Sequence, residues 1–215
     1  NDSYKYIAIN DILMWVSNNG DGSHDPRTDG NGFYWPGGIN AVRSAIFEDG
    51  LMYGGKVNGQ IRVNGNTHRQ GLQAGKILSP GIADDPTLTK YRVYRIRNDW
   101  QSFPPGPERD ELEQDYNEWP VEDGAPWEDV NGDGVFTRGI DKPKFEGDEV
   151  LWYVANDLDT ARTRFTYGSP PLGLEFQTTV YGFFSDSSNV FGNVVFKKYK
   201  VINKPHQLRR VIRKG

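Results

Sequence analysis

Apolar and polar residues alternate over short stretches of this chain and seldom recur at helical spacing. Residues 4–16 (YKYIAINDILMWV) set Ile7 and Ile9, then Ile12, Met14 and Val16, two positions apart. That period predicts one bent strand or two short ones. Residues 45–57 (AIFEDGLMYGGKV) read as the next strand pair. Asn58-Gly59 follows between apolar alternations and predicts a hairpin, because Asn-Gly tolerates the two positive φ values of a type I′ turn. Asn64-Gly65 repeats the pattern and predicts a meander. Residues 71–78 and 91–96 add strands, and 149–155 (EVLWYVA), 174–184 (LEFQTTVYGFF) and 194–202 (VVFKKYKVI) are the strongest strand candidates.

One stretch reads as helix. Residues 107–116 (PERDELEQDY) begin with Pro, fill the first turn with acids and contain no β-branched residue. Residues 17–38 (SNNGDGSHDPRTDGNGFYWPGG) are crowded with Gly, Asn, Asp and Pro, so a long loop carrying neither helix nor ladder is expected. The fold class that follows is all-β and mainly antiparallel, a sandwich-like domain with long loops and one short helix. At 215 residues, a single β-rich domain is expected over 1–215, with the loop at 17–38, an acidic helix and loop insertion at 101–148, and a basic strand and tail at 192–215.

Composition narrows the class. The chain has no cysteine, which excludes disulfides, thiolate metal sites and cysteine nucleophiles. Aromatic residues make up 13% and Gly numbers 25, a mixture that suits short strands and tight turns. No apolar run approaches the ~18 residues of a membrane span. An opening Asn1-Asp2-Ser3 is what a signal-cleaved secreted chain would show, and an internal fragment would show it too. The net charge of −4 conceals an asymmetry: positions 101–160 hold 17 Asp or Glu against four basic residues, whereas the last 25 residues hold eight Lys or Arg and no acid. An acidic middle and a basic end attract each other.

The sharpest local motif is Asp129-Val130-Asn131-Gly132-Asp133-Gly134-Val135. Three oxygen-bearing side chains at alternate positions suit one hard cation, Gly134 permits the sharp turn, and the Val135 carbonyl adds a ligand, so calcium is the expected cofactor. A twelve-residue loop of the EF type closes on a carboxylate at its twelfth position, which is Ile140 here. Asp141, one place later, is the expected closing ligand, with Glu146 and Asp148 as alternatives. The competing reading is an Asx-rich turn whose side chains cap their own backbone. A second, irregular set of oxygens in the first loop, Asn19, Asp21, Asp25, Asp29 and Asn31, is a weaker cation candidate. Asn156, Asp157 and Asp159 are expected to cap or turn the chain.

Catalytic signatures are thin. His24, His68 and His206 are scattered, and neither H-E-x-x-H nor G-x-S-x-G occurs. The expectation is a protein that is not an enzyme, although paired carboxylates for glycoside hydrolysis are not identifiable from sequence. Tyr34, Trp35, Trp100, Trp119 and Trp127 fall in or beside expected loops and are candidates for stacking on sugars or packing on another subunit. The alternative for most is to pin loops onto the core. The basic end alternates Lys-Tyr-Lys-Val-Ile, which predicts a strand with one charged face and not a nucleic-acid patch.

Several stretches together resemble the amino-terminal region of large secreted proteins exported by the type IX route in the Bacteroidota and their relatives. They are AIFEDGL at 45–51, GGKVNG at 54–59, DDP at 84–86, KYRVY at 90–94, DEVLWYVAND at 148–157, GLEFQ at 173–177, FKKY at 196–199 and INK at 202–204. The resemblance implies an extracellular or cell-surface product and assigns no activity to particular residues. Such proteins run far longer and end in a sorting domain, so a processed fragment or a shortened relative is expected.

The functional expectation is an extracellular structural or interaction protein, a calcium-stabilised β domain that forms a homo-oligomer or filament in a surface fibre, sheath or layer. The alternatives are a carbohydrate-binding or adhesion module with glycan partners, or an accessory domain of a secreted hydrolase.

Overall fold

The computed structural model of the protein describes residues 2–67, 70–185 and 190–204. His68, His206 and the basic tail beyond Lys204 lie outside the described residues.

The alternation at the amino terminus resolves into β1 (Tyr4–Ile7) and β2 (Leu13–Ser17), antiparallel with Tyr4 opposite Ser17 and Ile7 opposite Met14. The 17–38 stretch departs from expectation, because it does carry ladders. β3 (His24–Asp25) pairs with β4 (Gly30–Asn31), and β5 (Phe33–Tyr34) joins β2 on one side and β6 (Ser44–Ile46) on the other. Asp25 explains the first ladder: its carboxylate accepts the backbone N–H of Arg27 at 3.0 Å and two guanidinium contacts from the same residue, closing the turn locally. Phe33 and Tyr34 explain the second, since two aromatic β-formers lie opposite Met14 and Leu13.

β7 (Met52–Val57) and β8 (Gln60–Gly65) form the expected hairpin, with Asn58 at φ 51° and Gly59 at φ 79°. The second Asn-Gly does not turn. Asn64 and Gly65 continue β8 opposite Tyr53 and Met52, and the buried Asn64 amide donates to the Tyr53 hydroxyl at 2.9 Å and the Gly71 carbonyl at 3.3 Å. The side chain that favours a turn is used in the core.

The remaining strands are β9 (Gln73–Ala74), β10 (Ile77–Ser79), β11 (Ile82–Ala83), β12 (Tyr94–Arg97), β13 (Trp127–Glu128), β14 (Lys142–Pro143), β15 (Glu149–Asn156), β16 (Leu174–Gly182) and β17 (Val195–Asn203). The main sheet runs β12-β15-β16-β17, all antiparallel, and β9 pairs with the end of β15. The expected helix is α1 (Pro107–Asn117). A second helix, α2 (Thr160–Tyr167), was not expected, because Thr, Phe and Tyr are weak helix formers. Its ends create it: Asp159 accepts from Ala161 N at 2.9 Å and Arg162 N at 3.2 Å, and Gly168 closes it at φ 66°.

β15 is buried along its whole length, which makes its sheet the middle layer. On one face Leu151, Tyr153, Ala155, Phe176 and Val180 pack against Ile7, Ile9, Ile12, Met14 and Val16 of the β1-β2 layer. On the other, Val150, Trp152 and Val154 pack against Tyr91, Trp119 and Ala125, with Tyr94 and Ile96 of β12 beside them. Each such side chain contributes about 1.5–3 kcal/mol by leaving water. The mainly antiparallel, sandwich-like architecture is thus two sheets face to face, with helix and loops over the second face.

Buried carboxylates fasten the layers. Glu149 is fully buried and takes Arg95 Nε at 2.5 Å and Ala8 N at 3.0 Å. Asp115 docks α1 through Lys5, Arg92 Nε at 3.0 Å and Arg95 N at 2.7 Å. Asp157 collects the backbone N–H groups of Leu172, Gly173 and Leu174 at 2.7–2.9 Å; burial nonetheless raises its pKa above the usual carboxylate range. The acidic middle and the basic strand meet at Lys198 Nζ and Glu146 Oε1, 2.9 Å apart.

Candidate functional site

The 129–141 loop is the tip of a hairpin whose base is β13 and β14, with Trp127 opposite Pro143 and Glu128 opposite Lys142. Its side chains face their own backbone. Asp129 accepts Gly132 N at 2.7 Å and Gly134 N at 2.8 Å, and Asp133 accepts Val135 N at 2.7 Å. Asn131 accepts Asp133 N at 3.2 Å and donates to the Asp133 carboxylate at 2.8 Å. Asp141, buried at the base, accepts Val130 N at 2.9 Å and Thr137 N at 2.7 Å, so it ties the two ends of the loop together.

Gly132 and Gly134 both sit at φ 76°, with open space where a Cβ would stand, so the requirement for Gly there is conformational. The oxygens are of the hard type that calcium prefers, and a carboxylate oxygen that accepts one N–H keeps a second lone pair. Their present directions are those of an Asx-rich turn. Among the described residues, no group of three or more His, Asp or Glu converges on a common point.

The oxygens of the first loop are dispersed. Asp21 and Asp25 are buried, and Asp25 is committed to Arg27, which holds its carboxyl below the usual carboxylate range. Asp29 faces His24 Nε2 at 3.0 Å, and the Asn31 amide donates to Ser44 Oγ at 2.8 Å. Asn19 caps the Asp21 N–H at 3.1 Å. The β3-β4 ladder sets Asp25 opposite Gly30 and His24 opposite Asn31, and the side chains of Asp25, Asp29 and Asn31 contact Arg27, His24 and Ser44.

The five aromatic candidates part company. Trp119 is fully buried, edge-on to Tyr94 and 6.4 Å from Trp152, with Nε1 donating to the Pro126 carbonyl at 2.8 Å. It pins a loop onto the core and is not open to a ligand. Trp100 packs on Tyr116 at 5.8 Å, and Tyr34 is half-buried in β5. Trp35 is exposed and donates to Asn193 Oδ1 at 2.6 Å. Trp127 is half-buried, edge-on to Phe136 at 5.5 Å, and borders the groove over β16 and β17.

Of that groove's lining, the sequence singled out Trp127, Glu146 and the lysines of one charged strand face, but not that they meet. Gln177 and Thr179 in β16, and Lys198 and Lys200 in β17, share its face because each strand alternates and the ladders put them in register. The available signal was polar residues two apart in a strand that is otherwise buried. Glu146, at the groove's end, is hydrogen-bonded by Lys198, which holds its carboxyl below the usual range. No family model, curated protein or solved structure matches the chain.

Proposed function

We propose that the protein is an extracellular structural or interaction domain that assembles through the outer edge of β17. The observation that carries this is the strand itself. β17 has nine residues, pairs with β16 on one side, and among the described residues pairs with no strand on the other. A strand of that length offers about 30 Å of unpaired N–H and C=O groups. Addition of a strand from a neighbouring copy satisfies them, and a head-to-tail contact of this kind propagates as a fibre, sheath or layer. The resemblance to type IX cargo supports the extracellular setting.

Calcium has a bracing role in this proposal. Asp129, Asn131, Asp133, the Val135 carbonyl and Asp141 would hold the ion, which supplies positive charge to an exposed acidic hairpin tip. The support is the alternate spacing of the oxygens together with the two left-handed glycines.

Electron microscopy and light scattering of the purified chain test the assembly. Regular polymers are expected, and Val201→Lys, which puts a charge on the half-exposed edge strand, abolishes them while the monomer melts normally. A wild-type chain that stays monomeric at high concentration defeats the proposal. For the ion, the double variant Asp129→Ala, Asp133→Ala falls further below wild type in calcium than in chelator, where only the lost N–H caps count, since a ligand bound only by the folded state stabilises it by mass action. An equal loss in both conditions leaves the residues as turn caps alone.

A further inference from the structure

The helix and loops that cover the second face of the main sheet stop halfway across it. Over β12 and β15 they seal the sheet with Trp119 and Ala125. Over β16 and β17 they leave a groove of about 440 Å³. Its floor is Trp152, Gln177 and Thr179; Trp127 forms one wall, and Lys198 and Lys200 form the other. The ladders set this arrangement, with Trp152 opposite Thr179, Thr179 opposite Lys198, and Gln177 opposite Lys200.

Gln177 is 7% exposed, and its amide orientation is fixed by two acceptors. Nε2 donates to the Asp123 carbonyl and to Glu175 Oε1, both at 3.1 Å. Turning the amide over would set oxygen against both oxygens. Oε1 is therefore an acceptor, it is buried, and it has no donor among the described residues. The loop above fits closely over this amide, since a Cβ on Gly124 would stand 2.2–2.5 Å from its atoms.

The groove is also cationic. Lys144, Lys198 and Lys200 line it against the single acid Glu146, which leaves a local excess of positive charge. Lys144 and Lys198 share Glu146, at 3.6 and 2.9 Å. Lys200 is exposed and has no ion-pair partner among the described residues.

We propose that this groove binds an acidic oligosaccharide, a hexuronate chain. Such a ligand answers the indole, the hydroxyl and the positive charge together. Its ring presents an apolar face to the indole of Trp127, its hydroxyls exchange hydrogen bonds with Thr179, and its carboxylates meet Lys200 and Lys198. A neutral sugar leaves the excess positive charge unanswered, and a bare polyanion leaves the indole and the Thr179 hydroxyl unused. The site goes beyond the assembly proposed above and does not depend on it, because it lies on the sheet face and not on the strand edge.

Isothermal titration of the full chain with trigalacturonate tests the proposal, alongside its uncharged methyl ester and a polyglutamate of matched charge. Trigalacturonate is expected to bind, with the ester and the polyglutamate each at least about tenfold weaker, a difference of ~1.4 kcal/mol. Lys200→Glu and Trp127→Ala each weaken trigalacturonate by a similar factor. The side-chain amide signals of Gln177 shift on saturation, and the exposed Lys200→Glu keeps the test valid if Trp127→Ala melts early. Absence of binding overturns the proposal. So does binding that ignores both substitutions, or polyglutamate binding as tightly as the saccharide without any dependence on Trp127.

Discussion

The two halves of the second sheet face begin from the same backbone and end differently. The half over β12 and β15 is closed by Trp119, Tyr91 and Ala125, and it presents Val150, Trp152 and Val154 to them. The half over β16 and β17 presents Gln177, Thr179, Lys198 and Lys200, and stays open. One ladder step separates Trp152 from Thr179, yet apolar burial dominates on one side and polar chemistry on the other. Close packing stops where the side chains would need to leave water without partners. A single face thus divides into a stabilising half and a half free to recognise something.

Substitutions sharpen that division. Trp119→Ala should be the most damaging, costing about 3–5 kcal/mol in urea unfolding, because the fully buried ring leaves a large cavity under the loop. Gly124→Ala sits on the border. Its φ of 107° and the Gln177 amide beneath it leave no room for a methyl group, and a loss of about 1–3 kcal/mol is expected with disruption of the groove.

In the open half the stakes are lower. The link from Glu146 to the mostly exposed Lys198 is worth ~0.2–1 kcal/mol. Because the native carboxyl is held below the ordinary Glu value of 4.5, that contribution is present above pH 4.5 and disappears as pH falls through the native value. Glu146→Gln should therefore lower the melting temperature slightly at neutral pH and remove this part of the acid sensitivity. Lys200→Glu should change stability by no more than ~0.5 kcal/mol, since its ammonium is exposed and has no ion-pair partner among the described residues. If Lys200→Glu unfolded the chain, or Trp119→Ala did not destabilise it, the division into a packed half and an open half would be wrong.

Local pattern, alternation for most and a continuous apolar run for β15, specifies the longer strands. β1, β2, the β7-β8 hairpin and the cores of β15, β16 and β17 all follow from it, and α1 follows from its Pro and its first-turn acids. These signals are local: neighbouring residues impose them through side-chain direction and backbone preference. The capping role of Asp159 was also legible, because an Asx side chain finds its partners two or three residues away. The 129–141 motif was legible as a loop rich in hard oxygens.

The tertiary structure decided what depends on distant partners. Asn64-Gly65 became strand and not turn because Tyr53 and Gly71 took its amide. Trp119 left the set of candidate aromatics because the sheet met it from across the chain. Asp25, Asp29 and Asn31 took Arg27, His24 and Ser44 as side-chain partners around the β3-β4 turn. Gln177 gained meaning only when Asp123 and Glu175 fixed its amide and Lys200 arrived beside it from the next strand. Alternation determines which way a side chain points; register and the covering loop determine what it meets.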